Sequence, residues 1–444
     1  MTSFYQRHYE PLFEPMIDMM LHGIAMDNRK RVKRLGQLTA DCIRLQDQLT
    51  EVAGVPLYGK KSLSTKKLAA FLYEDLRLPK KFRTRKRASG EKVRTVTTDE
   101  VAVKRLMNGH PKNERLQRAG SLILAHRRKY QLSSFYRENR VDEDGRMRSS
   151  YAPYADSGRF RSSENPCGTG SNAQNIDREA RDCFVPDDGC VFVELDLSLA
   201  EDRDVKVRTR APRLIALAKL PPWEWDGHQD NAAKAFHKQT KDVTKEERYV
   251  AKRVKHGTNY GEQADRISDE LLKDGFIYPP EECQRMMEVI VDPEVLEWQR
   301  EVRATVLKNR CLANAWGRVI SFEHERFSDD LYRRAYAYCP SSDMTCELIN
   351  RQGFVPAWHW LKRTGYGKIN VHNHDSLLAS IQPRYAWEYA CWLRDSLQKP
   401  VRIVGTMLTI WVELKVGMTW GELVEYKRWP TEREFGKTVR RLCA

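Results

Sequence analysis

The sequence predicts a mixed fold of helices and short strands spread over two or three lobes. Three observations carry that expectation: 444 residues exceed what one compact core accommodates, long stretches repeat apolar residues every three or four positions, and a few short β-branched runs end on or beside an acid. Hydrophobic residues at 41% and charged residues at 31% supply both a core and a wet surface, which excludes a disordered chain. With 76 Lys and Arg against 61 Asp and Glu the net charge is +15, so a polyanion is the expected partner class and its binding should weaken with salt. The 10 cysteines include no Cys-x-x-Cys pair, which argues against a zinc module and against a secreted disulfide framework; a reducing cytoplasm is the expected location. No stretch offers the roughly twenty apolar residues that a membrane span needs.

In chain order, Leu12, Met16, Met19 and Met20 follow helical spacing up to Gly23, which suits a helix end. Asp27 reads as an N-cap. Behind it Val32, Leu35, Leu38, Cys42, Leu45, Leu49 and Val52 form the stripe of a long packed helix that stops before Gly54. Residues 80–87 are basic and include Lys86 and Arg87; the Ser89-Gly90 break makes the block read as an exposed loop between helices, suited to a duplex backbone. Asp142-Glu143-Asp144-Gly145 reads as a turn, with a hairpin across residues 140–160. Arg159, within Ser157 to Ser163, and Gln174-Asn175-Ile176 bring polar groups that can reach phosphates, sugars or base edges.

Residues 189–196, GCVFVELD, read as a buried strand ending on Asp196, with Glu201 just beyond. Residues 205–305 look mainly helical and hold His228 and the stretch TKEERYVAKRVKHGTNYG at 244–261. Thr244 and Glu247 form a capping-box pattern, and Arg248, Lys252 and His256 recur at four-residue intervals on one helix face that can meet something long and anionic. Tyr260 and Gly261 then place a ring and a residue without a Cβ, an order that fits a triphosphate and its base. Residues 311–322 look strand-like and 331–350 helical, with Arg333 and Arg334 near the start. Residues 368–381, KINVHNHDSLLASI, read as a hairpin that delivers Asp375 to a sheet edge. From Tyr426 the basic tail reads as a solvated terminal helix. Two carboxylates far apart in sequence, each at a strand end or turn, are what two-metal phosphoryl transfer requires, with Arg248 and Lys252 neutralising phosphate charge.

These pieces resemble one family. Arg248, Lys252 and Tyr260-Gly261 resemble motif B of family A (DNA polymerase I-like) DNA polymerases and of single-subunit RNA polymerases. Asp196 to Arg203 resembles motif A, D-x-S-x-x-E-x-R, and His374-Asp375 resembles the H-D of motif C; Ser157 to Ser163, Gln174-Asn175-Ile176 and Val416 to Gly421 resemble flanking segments. The resemblance covers nearly the whole chain. It implies an α+β right-hand architecture with an antiparallel-sheet palm and mainly helical fingers and thumb: residues 1–140 thumb, 141–204 first part of the palm, 205–305 fingers, and 306–444 second part of the palm with the basic tail.

It also implies a DNA-templated DNA polymerase, phage-like, using two Mg²⁺ ions, primer-template DNA and deoxynucleoside triphosphates. Asp196, Asp375 and the carbonyl of Leu197 would bind metal. Arg248, Lys252 and His228 would hold the triphosphate, Lys252 as proton donor, with His256 and Tyr260 beside the nucleotide and Glu201 as the gate against a 2′-hydroxyl. Arg159, Gln174, Asn175, Arg334, His374, Lys86 and Arg87 would contact primer and template. No exonuclease motif is expected in the chain, which leaves that task, like processivity, to a separate partner. The departures are Ser376 where motif C usually has Glu, His256 where motif B usually has Phe or Tyr, and Tyr338 and Ser342 where the family has Asn and Gln. The competing readings are a single-subunit RNA polymerase and an inactive nucleic-acid-binding homologue.

Overall fold

The computed structural model describes residues 4–59, 62–86, 91–137 and 141–444. The fold is α+β and forms two compact units, one of residues 1–27, 140–267 and 279–444, the other of residues 28–139 and 268–278.

The larger unit is built on a five-stranded antiparallel sheet. Its strands are β1 (Val191–Leu197), β2 (Gly367–Asn373), β3 (Ser376–Ile381), β4 (Val412–Gly417) and β5 (Val424–Tyr426), in the order β2-β3-β1-β4-β5. β1 is central and nearly all buried, as its β-branched and aromatic run predicts. Alternation sends Val191, Val193, Leu195 and Leu197 to one face and Phe192, Glu194 and Asp196 to the other. The helix Ala386–Leu397 packs against β1. β2 and β3 form the expected hairpin, joined by His374 and Asp375, with His374 at φ +57°.

Helices surround the stretch after β1: α1 (Ala200–Arg208), α2 (Gly227–Ala235), α3 (Lys245–Asn259) and α4 (Asp329–Ser342), the last continuing through wider turns to Thr364. The capping box of α3 is complete: Thr244 Oγ1 accepts from the Glu247 N–H at 3.1 Å, and the Glu247 carboxylate accepts from the Thr244 N–H at 2.9 Å. Gly261 stands at φ +70°, and a Cβ there would lie 3.1 Å from the Tyr336 ring, so both the turn and the close approach call for glycine.

Two local expectations change in this larger unit. The strand Arg146–Met147 after the DEDG turn pairs with Ile24–Met26, and the hairpin of this region forms between Ser150–Ala152 and Arg161–Ser163. The basic tail forms the expected terminal helix, Glu432–Cys443, but one of its faces is packed: Phe435 and Val439 are buried, with Phe435 beside Trp387 and Tyr426.

The smaller unit packs the helices Asn28–Ala53 and Glu114–Arg137 together over a core that includes Leu49, Leu68, Phe71, Val103, Leu116 and Ile123. Its basic block is a hairpin, Phe82–Lys86 with Lys92–Val96, and not the loop that its composition suggests. Arg94 lies over the Phe82 ring at 4.3 Å, giving that strand pair an apolar contact that charge counting hides. Lys86 ends the first strand; Arg87 lies outside the described residues.

Candidate active site

Backbone pairing brings Asp196 and Asp375 together. Asp196 stands opposite Ser376 in the β1–β3 register, and the Leu197 N–H donates to the carbonyl of Asp375 at 2.9 Å, so the turn of the β2–β3 hairpin abuts the end of β1. Burial, then repulsion from Asp196, lifts the Asp375 carboxyl to about 7. Among the described residues no group of three or more His, Cys, Asp or Glu closes around a metal position, so the site offers neighbouring carboxylates and not a protein cage.

Glu201, in the first turn of α1, is held from two sides. Arg159 pairs with Oε1, and the Tyr260 hydroxyl donates to Oε2 at 2.5 Å. Burial and the neighbouring Glu201 charge push the Tyr260 hydroxyl well above its usual range, which keeps it a donor. Tyr260 in turn meets the edge of the His256 ring, centroids 4.8 Å apart. The end of α3, the start of α1 and Arg159 are thereby one connected set.

On α3 itself, Arg248 Nε donates to Asp226 at 2.8 Å. That Asp226 also caps α2, accepting from the N–H groups of His228 and Gln229. Lys252 is exposed and has no ion-pair partner among the described residues, so of the two cations it is the one already available to an anion. His228 is buried, and burial pulls its pKa down to about 4, leaving a neutral ring at pH 7.

The remaining candidates divide. His374 sits in the turn beside Asp375, and its Nδ1 is buried without a hydrogen-bond partner. Asn175 is exposed on a short helical turn, whereas Gln174 is buried and donates its amide to the carbonyl of His372 at 3.2 Å. Arg334 pairs with Asp156 at 3.0 Å and Glu325 at 2.5 Å. Tyr338 and Ser342 both point inward: the Tyr338 hydroxyl donates to the Arg318 carbonyl at 2.8 Å, and Ser342 Oγ accepts from Asn314 at 3.0 Å.

Several charged groups escape sequence reading. Lys415 on β4 donates to Asp196 Oδ2 at 2.8 Å, and the attraction of Asp196 and Glu194 outweighs burial to raise its pKa. Glu194, buried, accepts from the hydroxyl of Ser376 at 2.9 Å, so the residue in place of motif C's usual Glu bonds to a carboxylate on the neighbouring strand. Deeper, Arg208 bridges the fully buried Asp204 and Asp343, and Asn259 at the end of α3 donates to Asp202 at 3.0 Å, which also pairs with Lys206. The residue types were visible in the sequence, but only the register across β1 and β4 and the crossing of α1 with α4 join them.

The family A DNA polymerase model matches residues 31–422. The chain belongs to the family A DNA polymerases. Curated relatives of this family A member include the thermostable DNA polymerase I of Thermus thermophilus, 24% identical over 435 residues, covering 93% of this chain and 47% of that protein. The DNA polymerase I of Caldicellulosiruptor bescii is 26% identical over 270 residues, 58% of this chain and 28% of that one. The DNA polymerase of Bacillus phage SP01 is 25% identical over 200 residues, 43% and 21% respectively. The chain spans about half the length of the Thermus relative. Among solved structures, the POL domain of Pol1 from M. smegmatis, in complex with DNA primer-template and dNTP, matches with a TM-score of 0.77 at 24% identity, over 94% of this chain and 70% of that one. The family A fold therefore extends over nearly all of the chain.

Proposed function

We propose that this chain is a DNA-templated DNA polymerase that extends a primer 3′ end with deoxynucleoside triphosphates by two-metal phosphoryl transfer. The observation that carries the reading is the juxtaposition of Asp196 and Asp375, locked by the Leu197 to Asp375 backbone hydrogen bond, with Lys252 exposed on a capped basic helix of the same unit.

The donor set fits Mg²⁺: two carboxylates, with the Leu197 carbonyl as a further oxygen, suit a hard cation that keeps waters and substrate phosphates as its other ligands. Burial first and the Asp196 charge second raise the Asp375 carboxyl, and a shared cation would relieve the second of these. When bound, Mg²⁺ supplies the charge that activates the primer 3′-hydroxyl and stabilises the leaving oxygen. Asp196 and Asp375 would hold that ion at the end of β1. Lys252 and Arg248, the latter exchanging Asp226 for phosphate, bind the triphosphate, and His228 lies behind them. The primer 3′-hydroxyl would lose its proton to solvent as its oxygen bonds to the α-phosphorus, the bond from the α-phosphorus to the oxygen bridging the β-phosphate would break, and Lys252 would give a proton to the departing pyrophosphate.

Glu201, fixed by Tyr260 and Arg159, closes the space that a 2′-hydroxyl would need, and His256 lines the nucleotide beside it. Arg159, His374, Asn175 and Arg334 lie along primer and template; Gln174 supports this surface from beneath. In this reading residues 141–204 and 306–444 act as palm, 205–305 as fingers and 1–140 as thumb, with the basic residues Lys86 and Arg87 contacting the duplex backbone.

Extension of a primed template with Mg²⁺, offering deoxynucleotides or ribonucleotides, tests the proposal. Deoxynucleotides should be incorporated, and Asp196→Asn and Asp375→Asn should each lose about a hundredfold or more of the rate. Unchanged synthesis in either variant refutes the metal assignment, and a preference for ribonucleotides favours an RNA polymerase.

A further inference from the structure

The β1–β4 register sets Lys415 opposite Glu194 and Glu413 opposite Asp196. Opposed residues share a face, as do residues two apart on a strand, so these four side chains form a single patch of three acids and one base. Each acid has its own partner. Ser376 Oγ donates to Glu194 at 2.9 Å, Ser198 Oγ donates to Glu413 at 2.9 Å, and the Lys415 ammonium donates to Asp196 Oδ2 at 2.8 Å. Among the described residues, Asp196 is the one of the three acids that accepts a hydrogen bond from a cation. The same ammonium is 3.9 Å from Glu194 Oε2, and Arg181 adds a further positive charge felt by both Glu194 and Asp196.

An ammonium is a point charge on a flexible stem, with three donors and no demand for a fixed fork geometry. It can hold a carboxylate oxygen and release it again. A dication attracts that oxygen twice as strongly at equal distance, and the released ammonium has the Glu194 carboxylate within reach. We propose that Lys415 is a built-in competitor for the divalent cation at Asp196: it keeps this carboxylate in place while metal is absent, withdraws towards Glu194 when metal binds, and so sets the metal concentration the enzyme needs. Lys415 is thus a positioning residue, and its role rests on the two-metal reading above.

Mn²⁺ titrated into the full chain, with the free ion followed by electron paramagnetic resonance, tests this in the wild type, Lys415→Met, Lys415→Gln, Lys415→Arg and Asp196→Asn. Removing one positive charge a few ångströms from a dication, under near-aqueous screening, should tighten Mn²⁺ binding about tenfold in both neutral variants. Lys415→Arg should restore wild-type affinity, and the Mg²⁺ concentration for half-maximal primer extension should fall in the neutral variants by the same factor as the Mn²⁺ constant. Unchanged or weaker Mn²⁺ binding in folded Lys415→Met and Lys415→Gln, alongside lost binding in Asp196→Asn, overturns the role of Lys415 alone. Wild-type Mn²⁺ binding by Asp196→Asn overturns the metal site itself, and the competition with it.

Discussion

Tyr260, one residue past the basic helix, donates its hydroxyl to Glu201 Oε2 at 2.5 Å, so the end of one motif orients the acid of another. A gate is only as selective as its side chain is fixed. Glu201→Ala should raise ribonucleotide incorporation relative to deoxynucleotide by about tenfold to a hundredfold. Tyr260→Phe, which among the described residues leaves only Arg159 bonded to the carboxylate, should fall between that variant and the wild type and cost about 1.5–3 kcal/mol of stability. Single-nucleotide insertion with matched ribo- and deoxynucleotides is the measurement; the same sugar preference in all three proteins rules out the gate.

Acid should unfold the larger unit partly through His372. Burial, with a smaller contribution from His374, pulls its pKa down to about 3; the ring lies against Phe160 and Phe354, with Nε2 at 3.0 Å from Asn350 Oδ1. Between about 3 and the ordinary value near 6.5, the unfolded chain binds a proton that the folded one refuses. Stability therefore falls as pH drops through that window, by at most about 1.4 kcal/mol per pH unit from this group. Urea unfolding of His372→Leu from pH 7 to 4 should show a slope shallower by up to that amount, and parallel slopes would assign the acid sensitivity elsewhere.

Arg208 should be the costliest cation to remove. Its Nε donates to Asp204 at 2.6 Å, its Nη2 pairs with Asp343, and Asp343 also accepts from the Ala315 N–H at 2.8 Å. Arg208→Met leaves two buried carboxyls without their counter-ion, a loss of about 3–5 kcal/mol. Burial already holds both carboxyls above the unfolded range, and without Arg208 they rise further, so the loss should be smaller at pH 5 than at pH 8. Denaturant midpoints at both pH values check the size and the sign.

Primer-template affinity should fall steeply with salt. If about six phosphates are neutralised, log K against log salt has a slope of about −5, and replacing Arg83 and Arg94 of the basic hairpin by Ala should flatten it by about 2. An unchanged slope takes that hairpin off the nucleic acid.

What the sequence disclosed follows from how local each signal is. Asp196 and Asp375 were legible because each stands at the end or turn of a short apolar strand, and the capped helix because Thr244, Glu247, Arg248 and Lys252 lie within nine residues. Lys415 was not, because Val412 to Lys415 reads as ordinary alternation until one knows that β4 lies beside β1 and in which register. The basic hairpin read as a loop because its charge run is interrupted by Ser89-Gly90, and the Arg94 to Phe82 stacking that supports it is a pairing of residues twelve apart. Gln174, Tyr338 and Ser342 carry groups that suit a nucleic-acid surface, yet each spends a side-chain polar group inside the protein, a distinction that only burial makes.

The central place of β1 also says how the chemistry tolerates change. With ladders on both sides, this strand has no free edge along which to slide, and a shift of one residue would turn Glu194 and Asp196 into the apolar layer and carry Val193 and Leu195 out of it. The penalty for that inversion falls on the folding of the whole sheet. Inserting or deleting one residue between Val191 and Asp196 should therefore yield an unfolded chain, whereas the loops that flank the sheet can drift in length while the acids stay where they are.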